Sequence, residues 1–441
     1  MMRALLTFLL ALGVAGQALS VGLTPNQQPV RQLALPLFLT QPISEQADNA
    51  DQLRRGQYLV RMGDCASCHT PEGGPAFAGN FGLNTPFGVI YSTNITSDRE
   101  TGIGSLSEDQ FYAALHDGIG PKGAPLYPAM PYTAFTRVSR ADSDAILAYL
   151  KTTPAIRSSR NENKLTFPLN YRFFIRGWNL LFFRPDTFVP DPGKSSAWNR
   201  GAYIVNGLGH CGSCHTPKNF LGGNKSAKPL HGGNLDEWVA PDLTANRRTG
   251  IGVWNESDIA EYLKTGRNKY ANAGGAMAAV VTNSTSLMND QDLNAIATYL
   301  KDQAASPTPE VQIIDAAAMR RGKAIYSDAC ASCHMQEGGG QPRVFPPIAG
   351  NAMLQQDDPA GLMHLILAGG RTAPTSMRPA ALSMPSFAWK LTDQQIADVS
   401  TYVRNSWGNH AESVSAGVVS DMRKRLGLDA LSQTDNSGDR F

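Results

Sequence analysis

The 441-residue chain is short of cysteine and has none to spare. All six cysteines fall in three copies of one pattern, so none is left for a structural disulfide and cysteine usage alone does not fix a redox compartment. An excess of either charge is also missing. With 39 Lys and Arg against 37 Asp and Glu the formal net charge is +2, which gives no case for a nucleic-acid partner or a whole-molecule steering field. Long apolar runs are missing too. The N-terminal run from Ala4 to Ala15 is shorter than the ~20 residues that span a bilayer, and no C-terminal span follows. Glycine (42) and proline (28) are plentiful instead, which favours loop-rich small units over long regular helices.

The pattern is Cys65-Ala66-Ser67-Cys68-His69, repeated as Cys211-Gly212-Ser213-Cys214-His215 and Cys330-Ala331-Ser332-Cys333-His334. C-x-x-C-H is the haem c attachment pattern. On a helical turn, positions i, i+3 and i+4 share a face, so two thiols can form thioethers with the vinyl groups of one haem. The adjoining imidazole of His69, His215 or His334 then meets the iron as proximal ligand. Half a zinc site and a thioredoxin-like dithiol are the competing readings of a single such motif. A zinc site needs four ligands, usually two cysteine pairs, and three pairs do not divide into four-cysteine sites. The cofactor expected is three covalently bound haem c groups, each with its iron.

Met1 to Ser20 reads as a signal peptide, with Arg3, an apolar run and small residues at candidate cleavage positions. Export suits haem c, which in bacteria is attached outside the cytoplasm, and with no C-terminal span expected any membrane attachment is peripheral or through partner subunits. Residues 21–47 form an N-terminal extension holding an apolar patch, Leu33 to Leu39. Three repeated units follow, at 48–153, 198–304 and 316–408, joined by linkers 154–197 and 305–315 and trailed by a tail, 409–441. Each opens with a related segment: Arg55-Gly56-Gln57-Tyr58, Arg200-Gly201-Ala202-Tyr203 and Arg321-Gly322-Lys323-Ala324. Each closes with apolar residues at i, i+3 and i+4, over 145–151, 295–301 and 396–403, the signature of an amphipathic helix. Thr392 with Gln395 makes a capping box for the last. The first two units also share a Thr-Gly-Ile-Gly block, at Thr101 to Gly104 and Thr249 to Gly252. A helix is expected after each block, capped by Ser107 with Gln110 and by Asn255, and stopped by Gly118 and Gly266. The third unit lacks the block and is the divergent copy, its helix opening at Asp358-Pro359 and ending at Gly369-Gly370. Units this small sit where protein core alone is marginal, so haem-free chain is expected to fold poorly.

A second strong ligand closes the iron to chemistry, and methionine thioether in that place raises the reduction potential. Met130, Met277 and Met384 are the candidates. Met130 follows His69 by 61 residues and Met277 follows His215 by 62, as a duplication would give, and Met384 follows His334 by 50. Core packing is the alternative for any methionine. Met288 rivals Met277, while Met377 and Met353 rival Met384. Surface or hydrogen-bonding roles are expected for His116, His210, His231, His364 and His410, and each proximal imidazole should donate its free N–H to a carbonyl. The linker 154–197, rich in Phe, Trp, Arg and Pro, should pack between units. In the tail, Val414, Val418, Met422 and Leu426 beside Arg423-Lys424-Arg425 fit either an amphipathic membrane-surface helix or a solvated one.

From about residue 50 to 408 the chain resembles the three-haem cytochrome c subunit of bacterial membrane-bound dehydrogenases acting on alcohols, aldehydes, gluconate and related sugars. The resemblance rests on Gly56-Gln57-Tyr58 with Cys65 to Pro71, on Leu126 to Tyr132 around Met130, and on Gly177 to Phe183. It extends through Trp198 to Tyr203, Gly207 to Pro217 and Ser383 to Trp389. It implies a mainly α fold of three tandem small cytochrome c-like domains, each wrapped round one covalent haem c, with His/Met ligation in the periplasm. It also implies a catalytic dehydrogenase partner, with electrons leaving for ubiquinone, a terminal oxidase or a soluble carrier. Between a flavin, pyrroloquinoline quinone or molybdopterin partner the sequence does not choose. An enzyme in its own right, a multi-haem peroxidase or reductase with one open iron, is the rival function.

Overall fold

The computed structural model describes residues 43–44, 49–235, 237–308, 310 and 316–428. The expected signal peptide, the Leu33 to Leu39 patch, most of the 305–315 linker and the end of the tail lie outside them. The described chain is mainly helical, with three short antiparallel sheets.

Each unit is built on a crossed pair of helices. The opening helices are Ala50–Met62, Ser196–Asn206 and Ala316–Ala329, and the closing helices are Arg140–Leu150, Asp290–Lys301 and Asp393–Val403. The glycine after the first arginine of each unit explains how closely they cross. A Cβ on Gly56 would lie 1.9 Å from the Ala145 carbonyl oxygen, on Gly201 2.0 Å from that of Ala295, and on Gly322 2.2 Å from that of Asp398. No other residue lets the two backbones meet at that point. The preceding arginine locks the crossing: Arg55 Nε donates to Asp142 Oδ1 at 2.6 Å, and Arg200 Nε to Asp292 Oδ1 at 2.7 Å. In the third unit the acid sits one turn later, and Arg321 Nε donates to Asp398 Oδ2 at 2.6 Å. Side-chain caps start the closing helices at Ser139, Asn289 and Thr392, the last with the expected Gln395 capping box.

Between the crossed helices the first two units match closely. Ser107 with Gln110 caps Glu108–His116, and Asn255 with Asp258 caps Glu256–Thr265, each a full capping box. Gly118 and Gly266 follow with φ of 64° and 72°, as helix stops require. Hairpins Gly82–Thr85 with Gly88–Tyr91, and Gly233–Leu235 with Trp238–Ala240, stand at matching places. The third unit instead has Ala360–Ala368 ending at Gly369, then Gly370–Arg371 paired with Ser383–Met384.

The units are not three equal beads. The first two share one hydrophobic core, in which Leu59, Val60, Leu147 and Leu150 join Ile204, Leu208, Leu293 and Ile296. The third has a separate core around Tyr326, Ile366, Ile396 and Val399. The tail belongs to it. Helix Ala416–Arg425 buries Val419 and Met422 fully, and the buried Arg423 guanidinium donates to Asp393 Oδ1, Ala388 O and Leu391 O at 2.8–3.0 Å. The membrane-surface and solvated readings of this helix both give way to a packed one, because Val419 and Met422 face the core while Val418 stands outward.

The linker packs across the first two units, as its composition implied. Residues Lys164–Leu165 add a strand to the first hairpin. Helix Phe173–Phe182 is pinned by Tyr132 Oη–H to Asn179 Oδ1 at 2.6 Å and by Arg172 Nη1 to Pro125 O at 2.7 Å.

Candidate haem-binding site

Each cysteine pair lies on a single helical turn. Cys65–His69 is helical throughout, and Gly212–His215 and Ala331–His334 begin just after Cys211 and Cys330. The backbone N–H of His215 bonds Cys211 O at 2.9 Å and that of His334 bonds Cys330 O at 3.0 Å, so thiols and imidazole share a face as the spacing requires. None of the six cysteines is in a disulfide. Burial pushes the Cys65 and Cys211 thiols up to about 12 and Cys330 to about 11, so all three are neutral thiols near pH 7.

The histidines carry the sharpest geometry. His69 Nδ1 lies 2.7 Å from Thr93 O, His215 Nδ1 2.7 Å from Pro241 O, and His334 Nδ1 3.0 Å from Pro346 O. A carbonyl can only accept, so Nδ1 carries the proton and Nε2 keeps its lone pair for a metal. Burial lowers all three imidazoles below their ordinary value, which favours the neutral, ligating form. A glycine that the sequence did not single out frames each carbonyl. The N–H groups of Gly79, Gly232 and Gly340 bond the carbonyls of His69, His215 and His334 at 2.7, 2.9 and 3.1 Å. All three have positive φ, and a Cβ on Gly79 or Gly340 would strike backbone at 2.4 Å. The only sequence signal was a glycine downstream of every histidine.

The Thr-Gly-Ile-Gly blocks buttress the same carbonyl segments. Ile103 N–H bonds Thr96 O and Ile251 N–H bonds Thr244 O, at 2.9 and 3.0 Å. Gly104 and Gly252 nestle against the Ser97 and Ala245 carbonyls, where a Cβ would come within 2.0 and 2.2 Å. The block is therefore a clamp behind the carbonyl that holds His69 or His215 in the first two units.

The methionines occupy three different local structures. Met130 is half-buried in a turn before helix Tyr132–Phe135, against the shared core. Met384 is half-buried in strand Ser383–Met384, opposite Gly370. Met277 lies in the first turn of helix Gly275–Asn283, against Ala273, Ala278, Val281 and Ala373. Alanine at 278, where the first unit has Pro131, permits that helix. The rivals sit in other surroundings. Met288 is buried immediately before the cap Asn289, the place filled by Val138 and Leu391 in the other units, and it serves as a core staple. Met377 is exposed, and Met353 sits in the 3-10 turn Ala352–Gln355.

Of the other histidines, His116, His210 and His364 pack against aromatic rings and His410 lies at the surface. His116 bonds Asp117 at 2.7 Å and stacks on Tyr112, and His364 packs at a tilt against Trp238. His210 packs edge-on against Phe135 of the first unit, and His410 is exposed. Among the described residues no three His, Cys, Asp or Glu side chains converge as a metal-only site would need. A cysteine pair on one helical turn with an Nδ1-anchored histidine fits covalent haem c.

Helix Gly275–Asn283 joins the three units. Its Asn283 Nδ2 donates to Ser67 Oγ, between Cys65 and Cys68, at 3.0 Å. Its Thr282 Oγ1 donates to Pro374 O of the third unit at 3.0 Å, and Ala373 N–H bonds Ala273 O at 3.1 Å.

The cytochrome c family model matches residues 53–154 and 319–407, the first and third units. Over 86% of its length the chain is 38% identical to the gluconate 2-dehydrogenase cytochrome c subunit of Pantoea cypripedii, covering 91% of that protein. It is also 38% identical to the cytochrome c subunit of the quinone alcohol dehydrogenase of Gluconobacter oxydans (strain 621H), over 86% of this chain and 84% of that one. Identity to the fructose dehydrogenase cytochrome subunit of Gluconobacter japonicus is 36%, over 84% and 82% of the two. With its cysteine pairs, anchored histidines and helical units, the chain belongs to the family of dehydrogenase cytochrome c subunits, whose members carry covalent haem c and transfer electrons.

Proposed function

We propose that this chain holds three covalent haem c groups, one per unit, and relays electrons from a catalytic dehydrogenase subunit to ubiquinone, a terminal oxidase or a soluble carrier. The observation that carries the reading is the threefold recurrence of a cysteine-pair turn whose histidine is oriented by a backbone carbonyl. Haem iron held by imidazole and thioether exchanges single electrons without opening a coordination position. The chain's part is to orient His69, His215 and His334 through Thr93, Pro241 and Pro346, and Met130, Met277 and Met384 are the residues that would supply the second, thioether ligands. Contact of one helix, Gly275–Asn283, with the first unit's haem turn and with the third unit's loop supports a relay through the second unit.

The gluconate, alcohol and fructose dehydrogenases named among the relatives indicate a partner that oxidises a CH–OH donor. The expected signal peptide supports a periplasmic site. No helix among the described residues is long and apolar enough to cross a membrane, and peripheral attachment is proposed.

Carbon monoxide tests the relay against a peroxidase or reductase with an exchangeable iron. Reduced protein at neutral pH should keep its spectrum under carbon monoxide. Ready binding by the haems would overturn the closed-site reading.

A further inference from the structure

Helix Phe173–Phe182, between the first two units, turns only Ile175 fully inward. On the outward stripe Phe173, Phe174, Leu180 and Leu181 follow i, i+1, i+7 and i+8, one face of a helix. Phe173 is 72% exposed, Leu180 82% and Leu181 68%. Gly177 lies on the same stripe, and a Cβ there would meet nothing. The usual amphipathic order is thus inverted, with apolar residues toward solvent.

The surface extends past the helix. Phe167 and Tyr171 are exposed just before it, and Phe220, 87% exposed, stands on a turn of the second unit. That turn is fastened to the helix by Trp178 Nε1–H donating to Leu221 O at 2.9 Å, and the Phe182 ring covers Gly223. A fold-anchored apolar surface of this extent marks an interaction site.

Charge indicates the occupant. Between residues 163 and 185 there is no Asp or Glu, while Lys164, Arg172, Arg176 and Arg184 are present. The segment 212–235, which carries the Phe220 turn, also lacks acid and holds Lys218, Lys225 and Lys228. Phe, Trp and Leu edged by Arg and Lys is the composition of a helix lying at a lipid interface. We infer that this face seats the protein on an anionic bilayer, rings and leucines at the headgroup–acyl boundary and basic side chains on the lipid phosphates. The inference rests on the peripheral attachment proposed above. It places the anchor here and not on the C-terminal helix, whose apolar side the third unit covers.

Flotation of the haem-loaded, detergent-free protein with vesicles tests it. The protein should rise with phosphatidylglycerol–phosphatidylethanolamine vesicles and poorly with phosphatidylcholine. Leu180→Glu with Leu181→Glu should lower the bound fraction at least tenfold with an unchanged visible spectrum, and Arg176→Glu with Arg184→Glu should abolish the preference for anionic lipid. Wild-type flotation by the leucine variant, or no flotation by the parent protein, overturns the inference. Loss of a co-purifying catalytic subunit from the leucine variant, with flotation intact, would make the face a protein interface instead. The reduced-minus-oxidised spectrum of the same samples reads the haem proposal separately, so either can fail alone.

Discussion

Tyr58 of the first unit donates its hydroxyl to Asp292 of the second at 2.7 Å, and Tyr203 of the second returns the same bond to Asp142 of the first at 2.6 Å. Each tyrosine oxygen also accepts the N–H that caps the other unit's closing helix, from Asn289 at 3.3 Å and Ser139 at 3.1 Å. The two units therefore meet through a local two-fold relationship that duplication supplied. The third unit has Ala324 at the tyrosine position and packs by other contacts.

Breaking this junction should be expensive. Asp292→Ala leaves the Arg200 guanidinium and the Tyr58 hydroxyl without their acceptor in a mostly buried place, an expected loss of about 3 kcal/mol. Tyr58→Phe and Tyr203→Phe should each lose about 1–2 kcal/mol. Urea titration of the haem-loaded protein, followed by helical circular dichroism, measures all three, and parent-like stability of Asp292→Ala would contradict the junction's role.

Acid should weaken the same contact. Burial tends to raise the Asp292 carboxyl, but hydrogen bonds from Arg200 and Tyr58 outweigh it and hold the group below its usual range. A carboxyl whose pKa is depressed by folding stabilises the fold above its unfolded value, near ~4, and loses that contribution as the pH falls through the folded value. Stability should therefore drop below about pH 4, with a shallower drop in Asp292→Asn. Identical acid profiles would contradict the assignment.

The crossing glycines make a controlled comparison. Gly201→Ala drives a Cβ into the Ala295 carbonyl and should lose about 3 kcal/mol, whereas Gly177→Ala meets open space and should be neutral or slightly stabilising. Thermal melts of the two variants read the difference, and equal melting temperatures would refute the close crossing.

How much of this was legible in the sequence depends on how far apart the interacting residues lie. Helix caps at Ser107, Asn255 and Thr392 are contacts within one turn, and they appear where the pattern put them. The haem turns were equally plain, since spacing alone puts two thiols and an imidazole on one face. The recurrence of Gly56, Gly201 and Gly322 was visible, but its cause was not, because each touches a backbone far along the chain. The carbonyl partners of the histidines were expected as a class and unnamed for the same reason. The tail misled because its apolar residues fit more than one helical face, and only packing shows Val419 inward and Val418 outward.

Potentiometry tests the proposed methionine ligands. Met384→Ala should lower one of three midpoint potentials and leave haem attachment intact, because thioether ligation favours the reduced iron. An unchanged titration would transfer the role to Met377. Met277→Ala should likewise shift one potential, while Met288→Leu, a volume-conserving change in a core staple, should shift none.

Denaturing mass spectrometry of the exported polypeptide counts the porphyrins directly. Cys65 with Cys68, Cys211 with Cys214, and Cys330 with Cys333 should each retain one haem after unfolding, giving the polypeptide mass plus three. A mass equal to the bare polypeptide, or to fewer than three added haems after complete export, would contradict the three-haem relay.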